Sequence, residues 1–377
     1  MLRRKHILQV VHSLAVGGTE RVVCRLADAF NDGEFQTSVC CLDELGGFGR
    51  ELKDRGVPVH VLGRKPGFDL SLVSRLRELY ADVGVDIVHA HQYTPYFYGA
   101  TAALRSGFVP VIFTEHGRHW PDRLRIKRAI FNQVLRATTC AYTAVSEFSR
   151  DCLIRYEKMP REQIRVIYNG IDLNVKTAFI KDRRRIRSEL GLKDSERVIL
   201  SIGRLDPIKD FETLIQAFSA VLPRIPNAIL WIAGDGDPNY KSKLVRLTED
   251  LGLSAKVSFL GNRSDVNLLL AATDLFCLCS VTEAISMTIL EAMAASRAVI
   301  ATKTGGNPEI VVDSETGLLV SVGDAPSVAQ AIVRLLENAG LRDWMGKAGR
   351  RRAEEQFFIA SILRQYRDLY RAATVSS

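Results

Sequence analysis

From residue 6 onward the chain alternates two hydrophobic patterns. Short, near-continuous apolar runs fall at 6–12, 36–42, 57–62, 85–89, 110–114 and 139–145. Between them, apolar residues recur at helical spacing over 19–31, 47–55, 70–82, 95–106 and 123–136. A short apolar run without polar alternation reads as a buried strand. The links between elements are short, which favours a parallel sheet covered by helices on both faces.

Residues 164–172, IRVIYNGID, read as one more strand ending in a turn. The next stretch, 173–196, is polar and basic, with KDRRR at 181–185, and reads as a linker with a short helix. The alternation then restarts. Strands are expected at 198–202, 228–233, 256–260, 274–279, 298–301 and 317–320, and helices at 210–222, 239–251, 264–271, 286–295, 325–337 and 340–355. The economical reading is two α/β domains joined near residue 180. A last helix, about 358–373, is apolar at Phe357, Phe358, Ile362, Leu363, Tyr366, Leu369 and Tyr370, an amphipathic face that could pack back on the first domain.

Composition narrows the class. A chain of 377 residues with 47% hydrophobic and 25% charged content is a globular protein of two or three domains. No segment approaches the roughly 18 uninterrupted apolar residues of a membrane span. The opening MLRRKHILQVVH superficially resembles an export signal. Gln9, His12 and the GGTER run at 17–21 interrupt it, and no small-residue cleavage site is suitably placed, so the expected location is the cytoplasm. Seven cysteines show no metal-like spacing. Cys40 and Cys41 sit in one apolar run, and Cys277 and Cys279 alternate along another, so reduced structural thiols are expected. The formal net charge is +8, with basic clusters at 3–5, 118–128, 181–187 and 350–352. No nucleic-acid motif accompanies them, so no specific nucleic acid is expected. An anionic substrate or the anionic inner membrane surface accounts for the charge equally well, and most such runs are solvated helix faces.

Candidate chemistry collects where strands end. Gly17 and Gly18 follow the first strand and precede a helix, where backbone N–H groups can approach an anion. The full dinucleotide fingerprint is absent, so a nicotinamide cofactor is not indicated; a tight turn would use the same pair. GRLDPIKD at 203–210 follows the first strand of the second half. Arg204 and Lys209 there suit a diphosphate and could neutralise a leaving group. The plainer alternative is two loop cations with Asp210 as an N-cap. GDGD at 234–237 reads as a sharp turn rather than a metal loop. GGNPE at 305–309 puts a glycine pair after a strand, allowing close approach of a ligand or a domain, with Glu309 as a dipole partner for the next helix. VTEAISMTILEAMA at 281–294 sets Glu283 and Glu291 eight residues apart across a strand-to-helix junction. Nucleotides bind at such junctions in open α/β sheets. Glu283 would face the ligand, and Glu291, about two turns into the helix, could accept from ribose hydroxyls; the alternative is a dipole partner plus a surface acid. His12, His89, His91, His116 and His119 end or follow strands in the first half. His116, in TEHG at 114–117, could bind a substrate hydroxyl or phosphate or accept a proton, against a structural hydrogen bond as the alternative. His91 and the Ser146–Glu147 pair are similar loop positions, Ser146 also being a natural N-cap.

Taken in order, GGTE at 17–20, NGID at 169–172, Gly203 and Arg204 with Lys209, GDG at 234–236, and Glu283-x7-Glu291 followed by AMA resemble glycosyltransferase family 4 over nearly the whole chain. The resemblance implies the GT-B fold: two Rossmann-like doubly wound parallel-sheet domains facing across a cleft. Residues 1–178 would form the acceptor side, with 358–377 packing back on it, and 179–357 would bind the donor. It implies transfer, with retention, of a sugar from a UDP- or GDP-sugar to a lipid-linked or growing glycan acceptor, as in exopolysaccharide biosynthesis, without metal or cofactor. Arg204 and Lys209 then match the cations on the donor diphosphate, Glu291 the acid on the ribose hydroxyls, and Glu283 the acid near the donor sugar. Gly17 and Gly18 match the loop by the phosphates and acceptor, and His116 a histidine at the donor sugar. Ser286, Ile285, Asn169 and His91 complete the expected binding set. After Glu283 many members carry Gly-Phe-Gly, where this chain has Ala284, Ile285 and Ser286. The rival readings are a GT-B epimerase, hydrolase or phosphorylase and a non-catalytic sugar-nucleotide-binding protein.

Overall fold

Apolar runs set the central strands in place because these are covered on both faces. The computed structural model describes residues 3–15, 17–117, 123–173 and 182–375, and the chain divides into two units, Met1–Gly170 with Ala360–Ser377, and Ile171–Ile359. The expected domain boundary at 178/179 and His119 lie outside the described residues.

In the first unit seven parallel strands, β1 (Lys5–Val11), β2 (Phe35–Cys41), β3 (Val59–Val61), β4 (Ile87–His91), β5 (Val111–Glu115), β6 (Thr139–Ala144) and β7 (Ile164–Val166), lie in the order β3-β2-β1-β4-β5-β6-β7. Side chains alternate between two cores. Leu8, Val10, Val88, Ala90 and Phe113 join Leu72, Leu76 and Tyr96 on one face. Ile7, Ile87 and Ile112 join Phe30, Ile362, Tyr366 and Tyr370 on the other. That second face is closed by the last helix, Ile359–Val375, and Arg367 and Arg371 fasten it at its rim to Asp32 (2.6 Å) and Glu34 (2.7 Å).

One helix of this unit is turned against the usual sense. In Ile126–Leu135 two polar side chains point inward beside Leu135: Asn132 Nδ2 donates to the Glu157 carbonyl at 3.0 Å, Arg128 pairs with the fully buried Glu157 at 3.4 Å, and its guanidinium lies 4.0 Å from the Tyr93 ring. Ile126, Ile130 and Val134 repeat every four residues on the outside, more than half exposed, with Leu124 and Phe131 beside them. Phe131 continues through Phe97 (5.4 Å between rings) to the exposed Phe68 (5.8 Å).

The second unit holds six parallel strands, β8 (Arg197–Ile202), β9 (Ala228–Ala233), β10 (Val257–Gly261), β11 (Leu275–Leu278), β12 (Ala298–Thr302) and β13 (Gly317–Val320), in the order β10-β9-β8-β11-β12-β13. Strand order reverses between β8 and β11 here, and between β1 and β4 in the first unit. Crevices at such reversals, at the carboxyl ends of strands, are where open α/β sheets bind ligands.

The expected short helix stands at Arg183–Glu189, and two of its arginines are drawn out of solvent. Arg183 and Arg187, on the Arg183–Glu189 helix, reach the buried Asp274 at 2.8 and 3.5 Å, and Arg187 also donates to the Ala272 carbonyl at 2.7 Å. Asp274 in turn accepts from the Val198 amide at 2.8 Å. Arg350 and Arg352 are likewise spent on the carbonyls of Ala294 and Ile310. Part of the positive charge is therefore structural. Among the described residues, no helix is long and apolar enough to cross a membrane.

Candidate active site

In the second unit the site grows from the loops that leave β8 and β11. After β8 the chain runs beside the GDG turn: Leu205 N donates to the Asp235 carbonyl (3.1 Å) and Asp237 N to the Leu205 carbonyl (3.2 Å). A Cβ on Gly234, whose φ is +130°, would stand 2.0 Å from the Gly203 oxygen, and one on Gly236 would stand 2.2 Å from the Leu205 oxygen. These glycines serve the backbone, as a turn requires. Asp206 then caps the single turn Pro207–Lys209, and Asp210, in the left-handed region at φ +47°, caps the Phe211–Val221 helix through the Thr213 amide. Two caps in succession leave Lys209 on the last residue of a short turn.

Lys209 Nζ donates to Glu283 Oε1 at 2.5 Å, and Ser280 Oγ donates to the same oxygen at 2.7 Å. The backbone around Glu283 is held as tightly. Val281 N donates to the Ile208 carbonyl (2.8 Å), Thr304 Oγ1 to the Val281 carbonyl (2.8 Å), and Gly306 N to the Glu283 carbonyl (2.9 Å). Gly305 has φ +53°, and a Cβ there would lie 1.8 Å from the Glu283 oxygen. The glycine pair expected to admit a ligand or a domain thus admits the Glu283 loop itself. Arg204 reaches outward, its side chain 69% exposed, and pairs with Asp206 at 2.9 Å.

The other residues expected in this half take defined places. Ser286 Oγ accepts from the Ile289 amide (3.3 Å) and caps the Met287–Ala294 helix. Ile285 is buried, and so is Glu291. Because the helix starts at Met287, Glu291 stands one turn in, not two. A carboxylate one turn from a helix start, beside the switch point, can accept from vicinal hydroxyls.

In the first unit, Gly17 precedes the Gly18–Ala29 helix with an extended φ of −174°, which any residue adopts. Its lack of a side chain matters for another reason: a Cβ would stand 2.2 Å from Glu20 Oε2. The chain's own carboxylate therefore faces this helix start, and an anion approaching Gly17 and Gly18 has to displace it. Asn169 is buried, and its Oδ1 has no hydrogen-bond partner among the described residues.

The histidines differ from loop positions. β4 runs to His91, two residues beyond the expected end, and Gln92 at φ +69° stops it. His89 and His91 are thus strand residues, held in place by polar partners inside the sheet. His91 Nδ1 lies 2.8 Å from His116 Nε2, and His91 Nε2 lies 2.7 Å from Gln9 Oε1. His89 bonds Tyr370 (2.8 Å) and Thr114 (2.7 Å). Burial pushes His89 and His91 well below the usual histidine range and His116 down to about 3. All three are neutral near pH 7, so His116 works as a hydrogen-bonding group; a general base needs a pKa nearer the working pH.

Residues 182–352 match the family model described as glycosyl transferases group 1, and residues 16–175 match that described as glycosyltransferase family 4. The N-acetyl-alpha-D-glucosaminyl L-malate synthase of Bacillus anthracis is 30% identical over 313 residues, 81% of this chain and 79% of its own. The chain belongs to glycosyltransferase family 4. Another relative of this transferase is the UDP-Gal:alpha-D-GlcNAc-diphosphoundecaprenol alpha-1,3-galactosyltransferase of Escherichia coli, 27% identical over 94% of both chains. Among solved structures, Anabaena HepE in complex with UDP and glucose superposes with a TM-score of 0.83 at 25% identity, covering 97% of this chain and 98% of its own. The fold is GT-B, with two parallel-sheet α/β units.

Sequence reasoning missed the supporting residues of the transferase. Ser280, which holds Glu283, carried no signal beyond its place after a strand. Gln9 did carry one: an amide in the middle of an apolar strand needs a buried partner. Thr114, Thr143 and Tyr370, which complete its network, come from three distant segments and share no spacing.

Proposed function

We propose that the enzyme moves a sugar, with retention of configuration, from a UDP- or GDP-sugar to a lipid-linked or growing glycan acceptor in cell-surface polysaccharide synthesis at the cytoplasmic membrane face. The observation that carries this reading is the Lys209–Glu283 pair at the switch point of the second sheet. Lys209 supplies charge for the departing diphosphate, and Arg204 adds a second cation that can swing in from solvent. Glu283, held by Lys209 and Ser280, accepts from donor-sugar hydroxyls. Glu291 accepts from the ribose. The amides around Ile285 and Ser286 face the sugar and phosphate, and the Ala284 and Ser286 side chains narrow that loop relative to glycine. Gly17 and Gly18 receive phosphate and acceptor, with His116, His91 and Asn169 on the same side. In this reading the donor belongs to 179–357 and the acceptor to 1–178 with the last helix.

The chemistry needs no protein nucleophile. The bond from the anomeric carbon to the phosphate oxygen breaks while the acceptor hydroxyl bonds to the same face. The hydroxyl proton passes to the departing phosphate, and Lys209 and Arg204 stabilise the charge in place of a metal. HepE, captured with UDP and glucose, supports the class of donor. The Escherichia coli relative, named for a diphosphoundecaprenol-linked acceptor, supports the class of acceptor. The outward apolar stripe of Ile126–Leu135, flanked by Arg123, Arg125, Lys127 and Arg136, supports contact with an anionic membrane surface.

The test is calorimetric titration with UDP, GDP and ADP in the absence of metal, then turnover with the matching sugars. One nucleotide should bind. Glu291→Gln should weaken it about tenfold or more without lowering thermal stability, and Lys209→Ala should cut kcat by about a hundredfold or more. Binding of none of the three, or full activity in Lys209→Ala, removes the proposed donor site. Donor binding without turnover on a broad acceptor panel would favour the non-catalytic reading.

A further inference from the structure

His116 stands at the end of a hydrogen-bond chain that crosses the first unit, and chemistry at the other end gives that chain a direction. The far end is the Phe113 carbonyl, which can only accept. Thr143 Oγ1 donates to it at 3.3 Å, which uses the one proton Thr143 has. The bond between the Thr114 and Thr143 hydroxyls is therefore made by the Thr114 proton. The Thr114 oxygen is left to accept from His89 Nε2 at 2.7 Å. A neutral imidazole carries one proton, so His89 Nδ1 is bare, and the Tyr370 hydroxyl donates to it at 2.8 Å. Tyr370 in turn accepts from Gln9 Nε2 at 3.1 Å, which turns Gln9 Oε1 toward His91 Nε2 at 2.7 Å. The His91 proton is then on Nε2. Its Nδ1 accepts from His116 Nε2 at 2.8 Å. What remains is His116 Nδ1, a lone pair that is buried and has no hydrogen-bond partner among the described residues.

We infer that the Phe113 carbonyl, acting through Thr143, Thr114, His89, Tyr370, Gln9 and His91, sets the tautomer of His116 and presents Nδ1 as the acceptor for a hydroxyl proton of the sugar. Thr143, Tyr370 and Gln9 are positioning residues, acting through others. The reversed chain would keep every link except the one to Phe113, and would present an N–H at His116 instead. Burial keeps all three imidazoles neutral, which the one-proton count requires. The sugar as ligand rests on the proposed function; the tautomer does not.

The test reads the tautomer directly. In full-length protein labelled with 15N-histidine, two-bond ring couplings should show His116 protonated at Nε2, with His116→Gln assigning the signal. Thr143→Val removes the acceptor for the Thr114 proton and the link to the Phe113 carbonyl, the one bond that distinguishes the two directions of the chain. The chain loses its preferred direction, and His116 should populate the Nδ1-protonated form beside the Nε2 form. Thr143→Ser, which retains the hydroxyl, should keep the wild-type form. Tyr370→Phe cuts the chain midway and should leave a mixture. An unchanged Nε2 tautomer in Thr143→Val overturns the inference, because local surroundings would then set it. The functional readout compares UDP-glucose with UDP. Thr143→Val should raise the KM for the sugar nucleotide while the Kd for UDP stays constant. Equal loss for both, or no change in either, removes the link to the sugar. Failure of any nucleotide to bind would sink the proposed function and leave the tautomer result standing.

Discussion

Single residues here act mostly by where they force backbone to go. Gly305 is the clearest case. Its positive φ and the Glu283 carbonyl at 1.8 Å from a would-be Cβ leave no room for alanine. Gly305→Ala should push the Glu283 loop away from Lys209, and a misplacement near 1 Å costs about a hundredfold in rate. The measurement is kcat/KM beside a melting curve. A wild-type rate would mean that the Glu283 position is irrelevant to turnover. Glu283 and Glu291 stood out in the sequence as two acids eight residues apart across a strand-to-helix junction, and Arg204 and Lys209 as two cations between a strand end and a helix start. Ser280 did not, since a serine after a strand is ordinary and its value lies only in reaching one oxygen of Glu283.

At the scale of elements, patterning located most strands and helices, with ends displaced by at most three residues, and missed the Glu147–Glu157 helix that Ser146 caps. The displacements have local causes. β4 extends because His91 pairs in register with Thr114 and its ring is satisfied within the sheet. The 286–295 helix shortens because Ser286 is spent as its cap. The Ile126–Leu135 helix was found by its period, yet the period did not say which side faces inward. The buried acid Glu157 decides that, by drawing Arg128 and Asn132 and so turning the isoleucines out. Its exposed stripe leads to a membrane test. The protein should sediment with phosphatidylglycerol vesicles, much less with phosphatidylcholine, and less in high salt. Ile130→Glu should weaken the partition about tenfold, since it places a charge where a headgroup interface expects an apolar chain. Equal binding to both lipids, or none to either, would refute a charged-membrane role for this face.

The whole molecule carries buried neutral histidines whose protonation is linked to folding. Their folded pKa values are depressed below the unfolded value of about 6.5. The unfolded chain therefore binds more protons at low pH. The stability tied to these groups is fully present above about pH 6.5 and is lost progressively as pH falls from there toward the folded values, about 3 for His116. Between pH 7 and 5 His116 should cost about 2 kcal/mol, with His89 and His91 acting in the same direction, read as a falling urea midpoint, and His89→Gln should flatten the slope. A midpoint independent of pH over that window would show that the rings are reached by solvent.

What the sequence determined on its own was most of the elements and their order, the two-domain α/β class and the family, because hydrophobic period, strand-end glycines and the Glu-x7-Glu spacing are local along the chain. What only the tertiary structure decided was which distant groups share protons and charge: Lys209 with Glu283, Asp274 with two arginines, and His116 with Phe113 by way of the last helix. Those pairings depend on strand order and register, and residues as far apart as Gln9 and Tyr370 meet only when the sheet closes beneath the final helix.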